Sequence, residues 1–213
     1  MTLRIIRLND YTDTQRQELF RTLEKGEIIA YPTDTLYGLG VDIYQPLGVE
    51  RLLALKGRLS DKPFSILYPN CKSLLADFDH LNDFQLRVVN RLLPGRVTLL
   101  LPVKSPNQFP APFVSNGYIG VRVVDLPALN RLLAGYPHPI STTSVNPAGA
   151  KPACSVAEIR SYFPDQIKVV IDNGKAATSP GSTLLKLYTE RWEILREGEV
   201  SAVRINQMLY KNK

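Results

Sequence analysis

Three segments of this 213-residue chain collect side chains suited to binding anions. The first, Tyr31-Pro32-Thr33-Asp34-Thr35-Leu36-Tyr37-Gly38-Leu39-Gly40, sets hydroxyls and a carboxylate directly after the apolar run Ile28-Ile29-Ala30. If that run is a strand, its polar end stands where open α/β sheets bind ligands. Thr33 and Asp34 could equally build a plain turn. The second, Lys56-Gly57-Arg58-Leu59-Ser60-Asp61-Lys62-Pro63-Phe64, places three cations within seven residues at a helix-to-strand transition. Lys56 and Arg58, two apart in an irregular loop, can converge on one phosphate, which guanidinium grips bidentately and ammonium meets as a point charge. A solvated basic loop has the same composition. The third, Pro139-Ile140-Ser141-Thr142-Thr143-Ser144-Val145-Asn146-Pro147-Ala148-Gly149, runs four hydroxyl residues and an Asn out of an apolar start into a Pro/Gly loop. Such groups bind phosphate, ribose or carboxylate oxygens without a metal; local caps at a strand end would use the same residues.

Further candidates are single residues. Arg122 lies inside the apolar run Gly120 to Val124, and a guanidinium buried there needs an anion or carboxylate beside it. Ser182-Thr183 follows Pro180-Gly181, and Arg196 sits in Leu195-Arg196-Glu197-Gly198. Other chemistries lack their residues. There is no Gly-x-x-x-x-Gly-Lys-Ser/Thr phosphate loop. Gly38-Leu39-Gly40 lacks the third glycine of a dinucleotide fingerprint and leads into Val41-Asp42-Ile43, and no Gly-x-Ser-x-Gly elbow occurs. With His80 and His138 the only histidines, and Cys71 far from Cys154, no metal site is expected, and a reducing cytosol fits better than a disulfide scaffold.

The elements that must position these groups follow from pattern and punctuation. Asp13-Thr14 reads as the cap of a helix over Gln15 to Lys25 stopped by Gly26, followed by a buried strand Ile28 to Tyr31. Helices are expected at Val49 to Leu55, Lys72 to Phe78, Phe84 to Leu93, Leu126 to Leu133, from the Ser155–Glu158 capping box to about Phe163, and at Ser201 to Leu209. Extended segments are expected at Phe64 to Tyr68, Val97 to Val103, Ile119 to Val124, Ile140 to Thr143, Ile167 to Ile171, Thr183 to Leu187 and Trp192 to Leu195. Strands and helices mix throughout with neither repeat nor Ser/Gly-rich linker, so one α/β domain with a mixed sheet is expected.

Composition agrees. Apolar residues are 44% and charged residues 22%, as in ordinary globular chains. A net charge of +6 implies an anionic partner such as a nucleotide, RNA or an acidic metabolite. The stretch from Arg51 to Lys104 holds nine Lys or Arg against four Asp, so most of the excess lies in one quarter of the chain. Charge interrupts the N-terminus before a signal-peptide core forms, and the longest aliphatic run, Val97 to Leu101, is too short to span a bilayer. A cytoplasmic protein is expected.

Taken in order, P-T-D-T-L-Y-G-L-G, K-G-R-L-S-D-K-P-F and S-T-T-S-V-N-P-A-G resemble the YrdC/TsaC family of L-threonylcarbamoyl-AMP synthases. Leu93-Pro94-Gly95-Arg96-Val97-Thr98, Val121-Arg122-Val123, Ser182-Thr183 and Leu195-Arg196-Glu197-Gly198 fall in the family order, so the likeness runs from Gly26 to Gly198. Departures are Tyr118 where relatives carry Thr or Ser, Pro147-Ala148-Gly149 where they carry Leu-Ser-Gly, and the Leu185-Lys186 region where they carry an acid.

The resemblance implies a single YrdC-like domain over 1–213, a twisted mixed sheet flanked by helices, and a concave basic groove. It implies that the protein joins L-threonine, bicarbonate and ATP into L-threonylcarbamoyl-AMP and pyrophosphate, for threonylcarbamoyladenosine in tRNA. Lys56 and Arg58 would be catalytic. Arg58, Lys62, Ser144, Asn146 and Arg196 would bind nucleotide, and Thr35, Arg122, Thr142 and Ser182 would bind threonine. Mg2+ would travel on the triphosphate rather than in a protein cage. Expected partners are threonylcarbamoyl-transfer proteins and, through direct binding, tRNA or double-stranded RNA. The rival readings are a YciO-like paralogue acting on a related threonylcarbamoyl compound or adenylate, a non-catalytic RNA-binding module, and a carbamoyl-transfer module like that within hydrogenase maturation proteins. Lys56-x-Arg58 with Ser144-x-Asn146 argues for the synthase.

Overall fold

The structure, a computed structural model, describes residues 3–57 and 63–210. A short strand β1 (Arg4–Arg7) precedes helix α1 (Asp13–Glu24). The cap of α1 is Thr12, one residue before the expected pair. Its hydroxyl accepts the Gln15 amide while the Gln15 side chain accepts the Thr12 amide, a reciprocal pair that neither Asp13 nor Thr14 could form with Gln15. Gly26, at φ +64°, ends the helix as expected, and it touches Gly48 so closely that a Cβ would lie 2.8 Å from the Gly48 nitrogen.

Strand β2 (Ile28–Tyr31) has the expected bounds, and all four residues are buried. Next come β3 (Gly38–Gly40), α2 (Pro46–Leu55), β4 (Ser65–Leu67), α3 (Cys71–Asp77), α4 (Asp83–Leu92) and β5 (Val97–Pro102). A 3-10 turn at Ala111–Phe113 leads into the hairpin β6 (Val114–Ser115) and β7 (Tyr118–Arg122). The chain closes with α5 (Pro127–Leu133), β8 (Ile140–Ser144), α6 (Val156–Tyr162), β9 (Ile167–Asp172), β10 (Thr183–Leu187), β11 (Trp192–Arg196) and α7 (Ala202–Tyr210). Only half of the expected Ser155–Glu158 box forms. Ser155 accepts the Glu158 amide, but the Glu158 carboxylate turns to the Cys154 amide at 2.7 Å.

The strands form one mixed sheet in the order β1-β9-β2-β3-β8-β4-β7-β5-β10-β11, with β6 added on β7. Alternation divides two apolar cores between its faces. Ile28, Ala30, Leu39, Ile66, Val121 and Leu185 belong to one core, which receives residues of α2, α3, α4, α6 and α7. Ile29, Tyr31, Leu67, Ile140, Val169 and Ile171 belong to the other, packed by α1 and α5. That second core draws nothing from β5, β10 or β11, so this face is left without an apolar cover at one end of the sheet. Among the described residues no helix is long and apolar enough to cross a membrane.

Candidate active site

The uncovered part of the sheet face carries the candidate site. Register aligns Thr142 on β8, Ser65 on β4, Gly120 on β7, Leu100 on β5 and Lys186 on β10 in one row. Four strand spacings make that row about 19 Å long. Over it lies a cavity of about 780 Å3, walled also by Thr33, Thr35, Asn116, Ser144, Ser182 and Arg196. Glycines make room in the floor. A Cβ on Gly120 would collide with the Ser65 hydroxyl, and one on Gly38 would lie 3.1 Å from the Tyr31 ring. The charged side chains of the described lining are Arg122, Lys186 and Arg196, with no carboxylate among them.

Arg122 is buried at 6% exposure on β7. It donates to Asp34 Oδ1 at 2.5 Å and to the Thr35 hydroxyl at 3.4 Å, while its buried Nε has no partner among the described residues. Asp34 thus supplies the carboxylate that a guanidinium between strand residues requires, and its other oxygen accepts the Asp125 amide at 2.9 Å. The Thr33 hydroxyl accepts the Thr35 and Leu36 amides and donates to the Leu36 carbonyl. The turn reading of this segment is realised: Thr33 makes the turn that presents Asp34 to Arg122 and Thr35 to the cavity.

Ser182 faces the same cavity, its hydroxyl 2.7 Å from that of Thr98. Arg196 donates to the Ser182 carbonyl at 2.9 Å. This corner is set by Gly198, where a Cβ would strike the Gly181 carbonyl, and by buried Thr183, whose hydroxyl donates to the Val200 carbonyl and accepts the Gly198 and Val200 amides.

Lys56 follows α2 as its C-cap and is 5% exposed. Its ammonium donates to the Ser144 carbonyl at 3.0 Å, the Asn146 carbonyl at 2.8 Å and Asn146 Oδ1 at 3.2 Å. Asn146 Oδ1 also accepts from the Ser144 hydroxyl at 2.5 Å, and its amide donates to the Pro147 and Ala150 carbonyls. The basic and hydroxyl-rich segments therefore meet. Ser144 lines the cavity, with Lys56 and Asn146 behind it holding the loop.

Two phenols brace the wall. Tyr31 donates to the Ser141 carbonyl at 2.8 Å, and burial pushes its pKa well above the ordinary phenol value, against the pull of Thr142 and the Arg122 charge. Tyr37 donates to the Gly174 carbonyl at 2.8 Å, and burial raises it too. Both are neutral donors across the physiological range.

Thus Thr35, Arg122, Thr142 and Ser182 all converge on one cavity, joined by Ser144 and Arg196. Asn146 and Lys56 stand one layer back, and Arg58 and Lys62 lie outside the described residues. Sequence reading passed over Thr98, Ser65, Asn116 and the pairing of Asp34 with Arg122. Asn116-Gly117, with φ values of 50° and 76°, is the two-residue turn joining β6 to β7; an Asn-Gly between extended segments is the signal that would have found it. Among the described residues no group of three or more His, Cys, Asp or Glu converges as metal ligands would.

The Sua5_yciO_yrdC family model, described as "Telomere recombination", matches residues 21–198. A threonylcarbamoyl-AMP synthase of Photobacterium profundum is 30% identical over 85% of this chain and 98% of its own, and one of Cellvibrio japonicus is 35% identical over 70% and 78%. Among solved structures, P. abyssi Sua5 complexed with L-threonine superposes with a TM-score of 0.86 at 24% identity; it covers 99% of this chain, which spans 61% of that protein. E. coli YciO superposes with a TM-score of 0.83 at 21% identity over 96% and 98%. At these identities the structural likeness is one of fold.

Proposed function

Because the chain belongs to the Sua5/YciO/YrdC family, we propose that it joins L-threonine, bicarbonate and ATP into L-threonylcarbamoyl-AMP and pyrophosphate, the activated group for threonylcarbamoyladenosine in tRNA. The observation that carries this reading is the convergence of Thr35, Arg122, Thr142 and Ser182, each under a tenth exposed, on one cavity that Arg196 and Ser144 also enter. Buried donors without a carboxylate among the described lining suit a ligand that brings its own negative charge.

Arg122 takes the threonine carboxylate through the Nε that has no partner among the described residues, with Asp34 fixing the guanidinium plane. The hydroxyls of Thr35, Thr142 and Ser182 surround the rest of the amino acid. The amine takes up CO2 to form a carbamate, whose oxygen attacks the α-phosphorus as the bond to pyrophosphate breaks; the oxygen removed from bicarbonate leaves as water. This chemistry asks for positioning and charge neutralisation rather than a covalent protein nucleophile. Arg58, Lys62, Arg196 and Ser144 meet the phosphates, where negative charge builds on the leaving group. Lys56 and Asn146 act one step behind, fixing the loop that carries Ser144. Mg2+ enters as part of the nucleotide, bound to its triphosphate. The product passes to threonylcarbamoyl-transfer proteins in the cytosol.

The test is pyrophosphate release from ATP and bicarbonate with L-threonine, with L-serine, and with no amino acid. Release that requires threonine supports the reading. Absence of release, or release indifferent to the amino acid, overturns it.

A further inference from the structure

Lys186 projects from β10 into the cavity at the end of the row that begins with Thr142. Its ammonium lies 4.1 Å from the centroid of the Tyr118 ring and 5.0 Å from that of Tyr188, and the two rings meet edge to face at 6.2 Å. The residue opposite it on β11 is Glu193, whose carboxylate instead accepts the Tyr188 hydroxyl at 2.9 Å and stands 3.8 Å from Arg191. Among the described residues Lys186 makes no ion pair. Ring faces attract and orient an ammonium, yet they neither neutralise it nor satisfy its N–H donors. Arg122 differs, since Asp34 balances its charge within the protein.

Arg196 pairs with Leu184, two residues before Lys186, across a register shift between Leu184 and Leu185, and both cations line the cavity, so the two are diagonal neighbours on adjacent strands. Both are two or three strands, about 10–14 Å, from Arg122. An anion held between them is therefore a different group from the one Arg122 holds.

We propose that Lys186 is a substrate-binding residue that takes a phosphate group of the nucleotide, with Tyr118 and Tyr188 as the platform that aims its ammonium. The proposal rests on the reading of this cavity as a nucleotide site and deepens it. Lys186 and Arg196 then anchor one phosphate at the β10–β11 end of the cavity, apart from the carboxylate that Arg122 holds on β7.

Calorimetric titration of Lys186→Gln, Lys186→Arg and the parent chain with inorganic pyrophosphate, ATP, adenosine and L-threonine decides it, with thermal melting as a check on folding. Losing one charge-assisted contact lowers pyrophosphate and ATP affinity about tenfold to a hundredfold in Lys186→Gln. Adenosine and threonine affinity stay unchanged, and Lys186→Arg recovers most of the loss. Equal pyrophosphate and ATP affinity in Lys186→Gln and the parent overturns the proposal, as does an equal weakening of all four ligands. Pyrophosphate binding that depends on Lys186 in a protein showing no threonine-dependent pyrophosphate release overturns the synthase reading and leaves the anion site standing.

Discussion

Lys56 and Asn146, 90 positions apart, are joined twice: the ammonium donates to the Asn146 carbonyl at 2.8 Å and to its side-chain oxygen at 3.2 Å. Because the same oxygen accepts the Ser144 hydroxyl, one cation at the end of α2 fixes both the course of the loop after β8 and the orientation of a hydroxyl in the cavity wall.

Lys56→Met removes that clamp and leaves carbonyl oxygens without their donor. Orphaned buried acceptors cost about 1–3 kcal/mol. The variant should be destabilised by that amount, and its threonine-dependent pyrophosphate release should fall about a hundredfold through misplacement of Ser144. Denaturant titration and the release assay measure the two effects separately; a variant with unchanged turnover would show that the clamp is irrelevant to the reaction.

Asp34→Ala leaves Arg122 as an uncompensated buried charge, since the two side chains are 2% and 7% exposed. Stranding one partner of such a pair costs about 3–5 kcal/mol. The double variant Asp34→Leu/Arg122→Met, which removes both charges, should regain part of that stability in urea unfolding while remaining unable to bind threonine. If the single substitution costs under 1 kcal/mol, the pair is not holding the strand face together.

Gly198→Ala forces a methyl group against the Gly181 carbonyl and the Ser182 backbone. Overpacking of this kind costs about 1–3 kcal/mol. Ser182 and Arg196 share this corner, so KM for both threonine and ATP should rise in steady-state assays. An effect on one substrate alone would contradict the shared corner.

Alkaline pH should unfold the protein through its phenols. Burial, the largest cause for both, raises the pKa of Tyr31 and of Tyr68, and the Asp77 carboxylate raises Tyr68 further. A group whose folded pKa is raised contributes stability that is complete below its unfolded value, about 10 for a phenol, and is lost as pH rises beyond it. Between pH 10 and the unfolding point the stability should fall by about 1.4 kcal/mol per pH unit for each such phenol. Tyrosinate absorbance at 295 nm should show these two rings ionising only with unfolding, and Tyr31→Phe should give a shallower pH dependence.

How far the sequence could be read depended on the kind of information each feature uses. β2 and β10 were legible to the residue because the apolar run Ile28 to Tyr31 ends at Pro32 and the leucine-rich run Thr183 to Leu187 begins after Pro180-Gly181. β3 escaped because Gly38-Leu39-Gly40 lacks strand-forming side chains; glycine is needed there because a Cβ on Gly40 would lie 2.8 Å from the Tyr31 ring. β1 escaped because Arg-Ile-Ile-Arg is a four-residue edge strand with one buried side chain. The cavity's lining was visible as residue types, and Arg122 was expected to need an anion or carboxylate beside it. That the acid is Asp34, and that Lys56 grips Ser144 and Asn146 from behind, depends on strand order between distant segments, which local pattern does not encode.

The floor of the cavity is shaped by what it lacks. Gly38, Ser65, Thr98 and Gly120 keep side chains short along the lining. Depth here is therefore adjustable in single carbon steps: Thr98→Val would exchange a hydroxyl for a methyl at constant size, and Ser65→Thr would shallow the hollow by one carbon. Graded replacements of this sort offer a ruler for the thickness of whatever the protein holds.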